Sequence, residues 1–200
     1  MFSKIISLPP ELILFAGPNG HGKTSLANKC LQKYPIPFIN ADNIYLTPNF
    51  NGSIFKAGII AINATDALIN TDSNLVLEST LSGKNYYNKI FAKMINRGYI
   101  ISIIYVILHN LPESLKRIQY RVSQGGHDIP TEDVYRRFRK AKQNFWQNFR
   151  PQADNWIMVD NQQEQPKIVI CHESEKGKKS KFFEGFKQTI SSLPPRYYMD

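Results

Sequence analysis

The chain has 200 residues, of which 42% are hydrophobic and 20% are charged, as is ordinary for one soluble globular domain. Its 25 Lys and Arg against 16 Asp and Glu give a formal net charge of +9, which indicates a protein that handles phosphates or nucleic acid. Its longest apolar stretch, residues 99–108, is too short for a membrane-spanning helix, which needs about 20 residues. We therefore expect a cytoplasmic protein without a membrane segment.

Short apolar runs alternate with helix-like segments along the chain. Residues 12–15 are a continuous apolar run, as in a buried parallel strand, and a Gly-rich turn leads from it into a predicted helix. Further strands are predicted at residues 38–40, 75–77, 99–108, 156–159 and 167–170, and helices at 23–33, 54–69, 84–96, after Pro112, and at 131–149. This alternation predicts a single α/β domain over residues 1–200, with a mostly parallel sheet flanked by helices.

Two smaller features complete the survey of elements. The helix predicted over residues 54–69 carries Phe55, Ile59 and Ile62 on one face, which is an amphipathic spacing. Cys30 and Cys171 lie far apart in the sequence and form no disulfide or metal pattern, so we expect both to be inert buried thiols in a reducing compartment.

Residues 17–24 read Gly-Pro-Asn-Gly-His-Gly-Lys-Thr and match the phosphate-binding pattern G-x-x-x-x-G-K-[ST] at every fixed position. Glycines let the backbone curl so that successive amides point at phosphate oxygens. Lys23 is predicted to contact the outer phosphates, and the Thr24 hydroxyl is a predicted Mg²⁺ ligand. His21 occupies a variable position and receives no role of its own. The predicted nucleotide-binding residues of this P-loop fold are Gly17, Pro18, Asn19, Gly20, His21, Gly22, Lys23, Thr24 and Ser25.

Two carboxylates directly follow predicted strands, at the edge where open α/β sheets bind their ligands. A phosphate-transferring protein needs a group that takes the proton from the accepting hydroxyl, and Asp42 is the first candidate. Glu78, together with Thr80, is a candidate for holding the acceptor or for ordering the water shell of the metal. The alternatives are that Asp42 only caps a turn and that Glu78 is a structural ion-pair partner.

A basic segment at about residues 112–149 is a predicted helical lid, broken at Gly125 and Gly126. Guanidinium groups suit the oxygens of a transferring phosphoryl group. His127 lies at the break, where a hydrogen-bonding role is favoured over catalysis. The alternative is a solvated basic face or a nucleic-acid patch. The arginines of this segment are Arg117, Arg121, Arg136, Arg137 and Arg139.

These motifs together resemble the zeta-toxin family of P-loop kinases, in particular its short branch described as predicted ATPases. The resemblance covers about residues 12–161. It is carried, in chain order, by the P-loop, Phe38-Ile39-Asn40-Ala41-Asp42, Glu78-Ser79-Thr80-Leu81-Ser82-Gly83, residues 117–121, Gly125-Gly126-His127, Ile129-Pro130, Arg136-Arg137-Phe138 and Asp160-Asn161.

The resemblance implies a kinase that uses ATP or GTP with Mg²⁺, since characterised members phosphorylate the 3'-hydroxyl of UDP-N-acetylglucosamine. It also makes an antitoxin protein a candidate partner. It implies the following roles: Lys23 holds the triphosphate, Asp42 is the general base, Glu78 and Thr80 lie at the acceptor site, Arg121 and Arg137 act from the lid, with Arg136 as the alternative to Arg137, and Asp160 and Asn161 lie near the nucleotide base.

The leading hypothesis is thus a small-molecule kinase, with a UDP-amino sugar or another hydroxyl metabolite as acceptor. An antibiotic phosphotransferase on the same scaffold is the second. A nucleic-acid-binding ATPase or polynucleotide kinase would use the net charge and the basic residues 176–181, which a solvated charge run explains as well. A nucleotide-binding regulator that barely turns over is the fourth. Nucleic acid is the less favoured partner, and no membrane partner is expected.

Overall fold

A computed structural model describes residues 8–126, 128–174 and 180–194. Its strands are β1 (Glu11–Ala16), β2 (Phe38–Ile39), β3 (Leu75–Ser79), β4 (Ile100–Ile107), β5 (Asn155–Asp160) and β6 (Lys167–His172). Its helices are α1 (Lys23–Lys33), α2 (Ala41–Tyr45), α3 (Ile54–Asn70), α4 (Asn85–Asn96), α5 (Leu111–Ser123), α6 (Thr131–Asn144) and α7 (Lys181–Ser191). Within the described residues, no helix has the length and apolar character needed to cross a membrane.

The strands form one six-stranded sheet in the order β2-β3-β1-β4-β5-β6. Neighbouring strands from β2 to β5 run parallel, and β6 pairs antiparallel with β5 at the edge. The predicted mostly parallel α/β fold is therefore confirmed. The carboxyl ends of β1, β2 and β3 meet at one edge of the sheet, so the segments that follow these strands are brought together.

The continuous apolar sequence of β1 follows from its place in the middle of the sheet. Leu12 and Leu14 pack into a core on one face, which includes Phe91 of α4. Ile13 and Phe15 pack into a second core on the other face, which includes Leu26 of α1 and helix α7. Because both faces are covered, every residue of the strand is buried, and no polar alternation appears in the sequence.

Two parts of the fold differ from the sequence expectations. Phe55, Ile59 and Ile62 do share one face of α3, but that face is outward, and Phe55 is 76% exposed. Cys30 is buried and its pKa is raised to about 12 by desolvation. Cys171 lies exposed on the edge strand β6, whose side chains are mostly exposed, so the expectation of two buried thiols is wrong for Cys171.

The predicted lid consists of α5 and α6, which enclose a small apolar cluster of their own with Ile118, Ile129 and Val134 at its centre. Helix α6 continues into a π-helical turn, Phe145–Phe149, where the sequence predicts one helix up to residue 149. Two features named from the sequence, His127 and most of the basic run at residues 176–181, lie outside the described residues.

Candidate active site

The P-loop begins where β1 ends and is pressed against neighbouring elements. Gly17 and Gly22 have φ angles of 135° and 82°, which L side chains rarely adopt. A Cβ atom on Gly17 would come within 2.3 Å of the Val106 carbonyl oxygen, and one on Gly22 within 2.3 Å of the Asn161 amide. The glycines of the motif are therefore required both by the curl of the loop and by its contacts with β4 and with the segment after β5.

Lys23 lies at the start of α1 and is only 5% exposed. Its Nζ donates a hydrogen bond to the Pro18 carbonyl oxygen at 2.9 Å and lies 3.8 Å from Oε1 of Glu78. Burial lowers the pKa of Lys23, while the negative charges of Glu78 and Asp42 oppose that shift. The ammonium group is thus folded back over the loop that would surround a phosphate.

Glu78, at the end of β3, connects three parts of the site. Its carboxylate accepts a hydrogen bond from Thr24 Oγ1 at 3.1 Å and another from Asn40 Nδ2 at 2.7 Å. Desolvation raises the pKa of Glu78, and the charge of Lys23 opposes this. Glu78 therefore links the P-loop helix to the segment that leads into α2, in addition to facing the lysine.

The same contact suits Thr24 for a metal ion. Because the Thr24 hydroxyl spends its single proton on Glu78, its lone pairs remain available to a cation. P-loop sites hold Mg²⁺ through one such hydroxyl, the nucleotide phosphates and water. The Thr24 hydroxyl, held by Glu78, fits that arrangement. Among the described residues, no group of three or more His, Cys, Asp or Glu side chains forms a metal site by itself.

Asp42 lies in the first turn of α2 and lines the same cavity as Lys23 and Glu78. The side chain of Asn40 caps this helix by accepting a hydrogen bond from the Asp42 backbone N–H at 2.8 Å. Since Asn40 makes the cap, the Asp42 carboxylate is not needed for it. The sequence did not single out Asn40, although an Asn directly before a helix is a recognisable capping signal.

Thr80 lies outside the cavity that Lys23 and Asp42 line. Its hydroxyl shares a hydrogen bond of 2.9 Å with the Ser82 hydroxyl. The turn is strained, because Leu81 has a φ angle of 53°, and Asn144 of α6 holds it by donating to the Leu81 carbonyl oxygen at 2.7 Å. Ser82 borders a second, polar cleft of about 620 Å³ between the start of α4 and the end of α6.

The lid arginines take different positions. Arg121 lines the cavity, and both Arg121 and Arg137 are close enough to Lys23 for their charges to lower the pKa of the lysine. Arg136 is half exposed and pairs with Asp133 at 2.7 Å, and Arg137 pairs with the same carboxylate at 3.2 Å. Arg117 braces the loop after β5, because its guanidinium donates to the Asn161 carbonyl oxygen at 3.0 Å and to the Gln162 carbonyl oxygen at 3.3 Å.

Of the two residues predicted near the nucleotide base, only Asn161 lines the cavity. Its Nδ2 donates to the His21 carbonyl oxygen at 2.7 Å, so it supports the P-loop directly. Asp160 does not line the cavity, and it accepts a hydrogen bond from His109 Nε2 at 2.8 Å. The side chain of His21 is buried away from solvent, and desolvation lowers its pKa to about 3.

One cavity of about 630 Å³ lies between the P-loop, the end of β3 and helix α5. Lys23, Lys29, Arg117 and Arg121 line it with positive charge, and Asp42 and Glu78 line it with negative charge. Such a site can hold a polyanion on its cationic side while a carboxylate faces an acceptor. A P-loop beside a carboxylate on this sheet defines the class of P-loop phosphotransferases of the kinase type.

The comparisons with known proteins agree with that class. A protein-family model described as "Zeta toxin" matches residues 55–176, which is more than half of the chain, and the chain belongs to this family. The matched segment starts after the P-loop, so the motif of residues 17–24 is independent support. The predicted family and enzyme class are confirmed. A search of curated proteins finds no match.

Solved structures resemble the chain in fold at low sequence identity. One belongs to the PezAT chromosomal toxin-antitoxin system of Streptococcus pneumoniae, with a TM-score of 0.60, 14% identity and coverage of 92% of this chain and 86% of that one. A chain of the AvrRxo1-ORF1:AvrRxo1-ORF2 structure with sulphate ions has a TM-score of 0.64, 16% identity and coverage of 92% and 65%. A chain of the Pnkp1/Rnl/Hen1 RNA repair complex has a TM-score of 0.58 and 18% identity, with coverage of 86% of this chain and 52% of that one. The chain thus spans about two thirds and half of the latter two.

Proposed function

We propose that this protein is a kinase that transfers the γ-phosphoryl group of ATP or GTP to a hydroxyl of a small metabolite, with a UDP-amino sugar as the candidate acceptor. One observation carries the proposal. The Asp42 carboxylate, which caps no helix, lines the same cavity as the buried Lys23 and the P-loop amides. A regulator that only binds nucleotide has no need for a second carboxylate close to Lys23.

The donor side of the reaction falls to the P-loop and the lid. Lys23 exchanges its bond to the Pro18 carbonyl oxygen for the outer phosphates, and its burial makes that charge effective. Arg121 and Arg137 offset the negative charge that builds on the transferring group and on the departing diphosphate. Thr24 would hold Mg²⁺, which neutralises phosphate charge when it is bound.

The acceptor side falls to Asp42. The hydroxyl gives its proton to the Asp42 carboxylate, its oxygen forms a bond to the γ-phosphorus, and the bond from that phosphorus to the β-γ bridging oxygen breaks. The nucleoside diphosphate leaves with the electron pair of that bond. Glu78 stays in place as the partner of Lys23 and Thr24 and keeps both groups oriented.

The acceptor is proposed to enter from the polar cleft that Ser82, Lys84 and Lys140 line. Thr80 is bonded to Ser82 and is proposed to contact the acceptor beside this cleft. Amide side chains and two lysines in that cleft suit an acceptor with several hydroxyls and a negative charge. A sugar nucleotide has both properties. The polar lining is less suited to a large apolar antibiotic, which leaves the small-metabolite kinase as the better supported enzyme.

The test is incubation of the protein with labelled ATP or GTP, Mg²⁺ and a panel of hydroxyl compounds that includes UDP-amino sugars, with products read by mass spectrometry. Asp42→Asn should slow acceptor phosphorylation by about 10²–10⁴-fold and leave nucleotide affinity near that of the wild type. Asp66→Asn, in an exposed aspartate paired with Lys93, is the control and should have little effect. A folded Asp42→Asn variant with most of its transfer activity would remove Asp42 from the mechanism.

A protein antitoxin is the proposed partner. The PezAT structure is described as that of a toxin-antitoxin system, and this chain shares its fold and belongs to the zeta-toxin family. Purification of the protein from its native host under mild conditions, followed by mass spectrometry, tests the proposal. Recovery of the protein alone, or only in complexes with copies of itself, would count against the proposal.

A further inference from the structure

His21 occupies a variable position of the P-loop motif and yet is buried, with 2% of its surface exposed. Its Nδ1 lies 2.9 Å from the Val106 carbonyl oxygen at the end of β4. A carbonyl oxygen only accepts hydrogen bonds, so Nδ1 carries the proton and the ring is anchored to the sheet. The side chain therefore points away from the phosphates and into the body of the protein.

The other side of the His21 ring meets the lid. The rings of His21 and Phe138 lie with centroids 5.7 Å apart and planes inclined at 68°, an edge-to-face arrangement that fixes the relative placement of two rings. Phe138 belongs to α6 and directly follows Arg137 in the sequence. A single side chain thus joins the P-loop, the central strand β4 and the helix that carries a lid arginine.

The P-loop also touches the other lid helix, α5, at Gly20. A Cβ atom on Gly20 would meet the Ser114 carbonyl oxygen at 2.6 Å, so the loop and α5 are in direct contact there. Toward α6, the ring of His21 is the side chain that makes the contact. Helix α6 packs on α5 through Val134 and Ile118, and Asn144 at its end donates to the Leu81 carbonyl oxygen. The His21 ring adds a contact at Phe138, near the middle of the helix.

We propose that His21 is a positioning residue that fixes helix α6 to the P-loop and so holds Arg137 over the bound phosphates. Asp133 competes for this arginine, because it accepts a hydrogen bond from Arg137 at 3.2 Å. Without the His21 ring, the middle of α6 loses its contact with the P-loop while its end stays bonded to Leu81 through Asn144, and Arg137 is left with Asp133. The residue acts through Arg137 and does not itself contact the reacting groups.

Three variants separate this role from a purely structural one. His21→Asn keeps a donor near the position of Nδ1 and removes the ring, Phe138→Leu removes the aromatic partner on the other side, and Arg137→Ala removes the arginine. If His21 only shaped the P-loop, His21→Asn would retain the activity of the wild type and Phe138→Leu would leave it unchanged. If it positions Arg137, both should lower kcat by about 10- to 100-fold, as small misplacements of catalytic groups do, with the KM for nucleotide changed by less than about threefold.

A double-mutant comparison gives the decisive kinetic result. Adding His21→Asn to Arg137→Ala should cause no further loss, because the residue acts through the arginine. An additive loss, or a His21→Asn variant with wild-type kcat, would overturn the inference.

The kinetic arms rest on the proposed function, but hydrogen exchange does not. His21→Asn and Phe138→Leu should each raise the exchange rate of residues 131–144 severalfold in the presence of a nonhydrolysable ATP analogue, without raising that of α1. Absence of phosphoryl transfer by the wild type would reject the proposed function alone. Unchanged exchange in α6 would reject the positioning role.

Discussion

Replacing Glu78 with glutamine should destabilise the protein without nucleotide far more than its single lost charge suggests. Its carboxylate is 10% exposed and lies 3.8 Å from the Lys23 ammonium, which is 5% exposed. Removing one partner of a buried ion pair typically costs about 3–5 kcal/mol, because the other charge is left uncompensated. Lys23 can limit the loss by releasing its proton, since burial already lowers its pKa. The pair therefore falls at the lower end of that range.

The hydrogen bonds of Glu78 add to the loss. Both carboxylate oxygens accept, one from Thr24 and one from Asn40. A glutamine has one acceptor oxygen, so one of the two donors then faces an amide N–H, which costs about 1–3 kcal/mol for a buried group. Together the two effects amount to roughly 4 kcal/mol, which for 150–250 residues corresponds to a fall in Tm of roughly 8–16 °C.

Differential scanning fluorimetry with and without nucleotide tests this reasoning. ATP in the presence of EDTA brings its own negative charge to Lys23, and in the wild type that charge is opposed by Glu78. The rise in Tm caused by metal-free ATP should therefore be larger for Glu78→Gln than for the wild type. The rise caused by MgATP should shrink, because the carboxylate that helps Thr24 to accommodate the metal is gone.

Asp66→Asn is the matched control, because its carboxylate pairs with Lys93 at 2.9 Å but is 44% exposed. Exposed pairs are worth about 0–1 kcal/mol, so its Tm should stay within about 4 °C of the wild type. A shorter ion pair with a smaller effect would show that burial, and not distance, sets the magnitude. A Glu78→Gln protein with a Tm within about 2 °C of the wild type would refute the assignment of Glu78 as the counter-charge of Lys23.

Three further predictions concern Lys23, the lid arginines and His21. Lys23→Ala should nearly abolish triphosphate binding or turnover, and unchanged affinity for a fluorescent ATP analogue together with unchanged turnover would remove the P-loop assignment. Arg137→Ala should slow transfer by about 10²–10³-fold and Arg136→Ala by less than about threefold, because the charge of Arg137 acts on Lys23 whereas Arg136 is half exposed; the reverse order would exchange their roles. Between pH 6 and 5 the free energy of unfolding of the wild type should fall by up to about 1.4 kcal/mol per pH unit more than that of His21→Asn. The reason is that the unfolded chain takes up a proton at His21 that the folded chain, with its pKa lowered to about 3, refuses. The free energies of unfolding are measured by urea titration at each pH, and an equal pH dependence for the two proteins would contradict this prediction.

The sequence predicts those parts of the fold in which one residue type is required by the local backbone or by burial. Gly17 and Gly22 adopt positive φ angles against close neighbours, so the spacing of the motif is itself a structural constraint. Strand β1 is buried on both faces, and its run of apolar residues states this directly. The single strand before the motif and the helix after it are accordingly predictable almost to the residue.

Contacts between distant segments leave no such mark. His21 meets Val106, which is 85 residues away, and Phe138 in the lid, and no local pattern couples a variable P-loop position to either. The outward orientation of one face of α3 also depends on contacts that the local sequence does not reveal. The spacing of Phe55, Ile59 and Ile62 correctly predicts a shared face, but only the packing of α3 through Ala57, Thr65 and Ile69 decides which face is buried.

The positive charge of the chain acquires a local meaning once the site is built. The cationic residues that line the cavity come from α1 and from α5, whereas Asp42 comes from the first turn of α2 and Glu78 from the end of β3. A nucleic-acid groove would need cations along an extended track for successive phosphates. Here they converge on one pocket, with carboxylates opposite. That polarity suits a compact triphosphate at one end and a hydroxyl acceptor at the other, as the proposed transfer toward Asp42 requires.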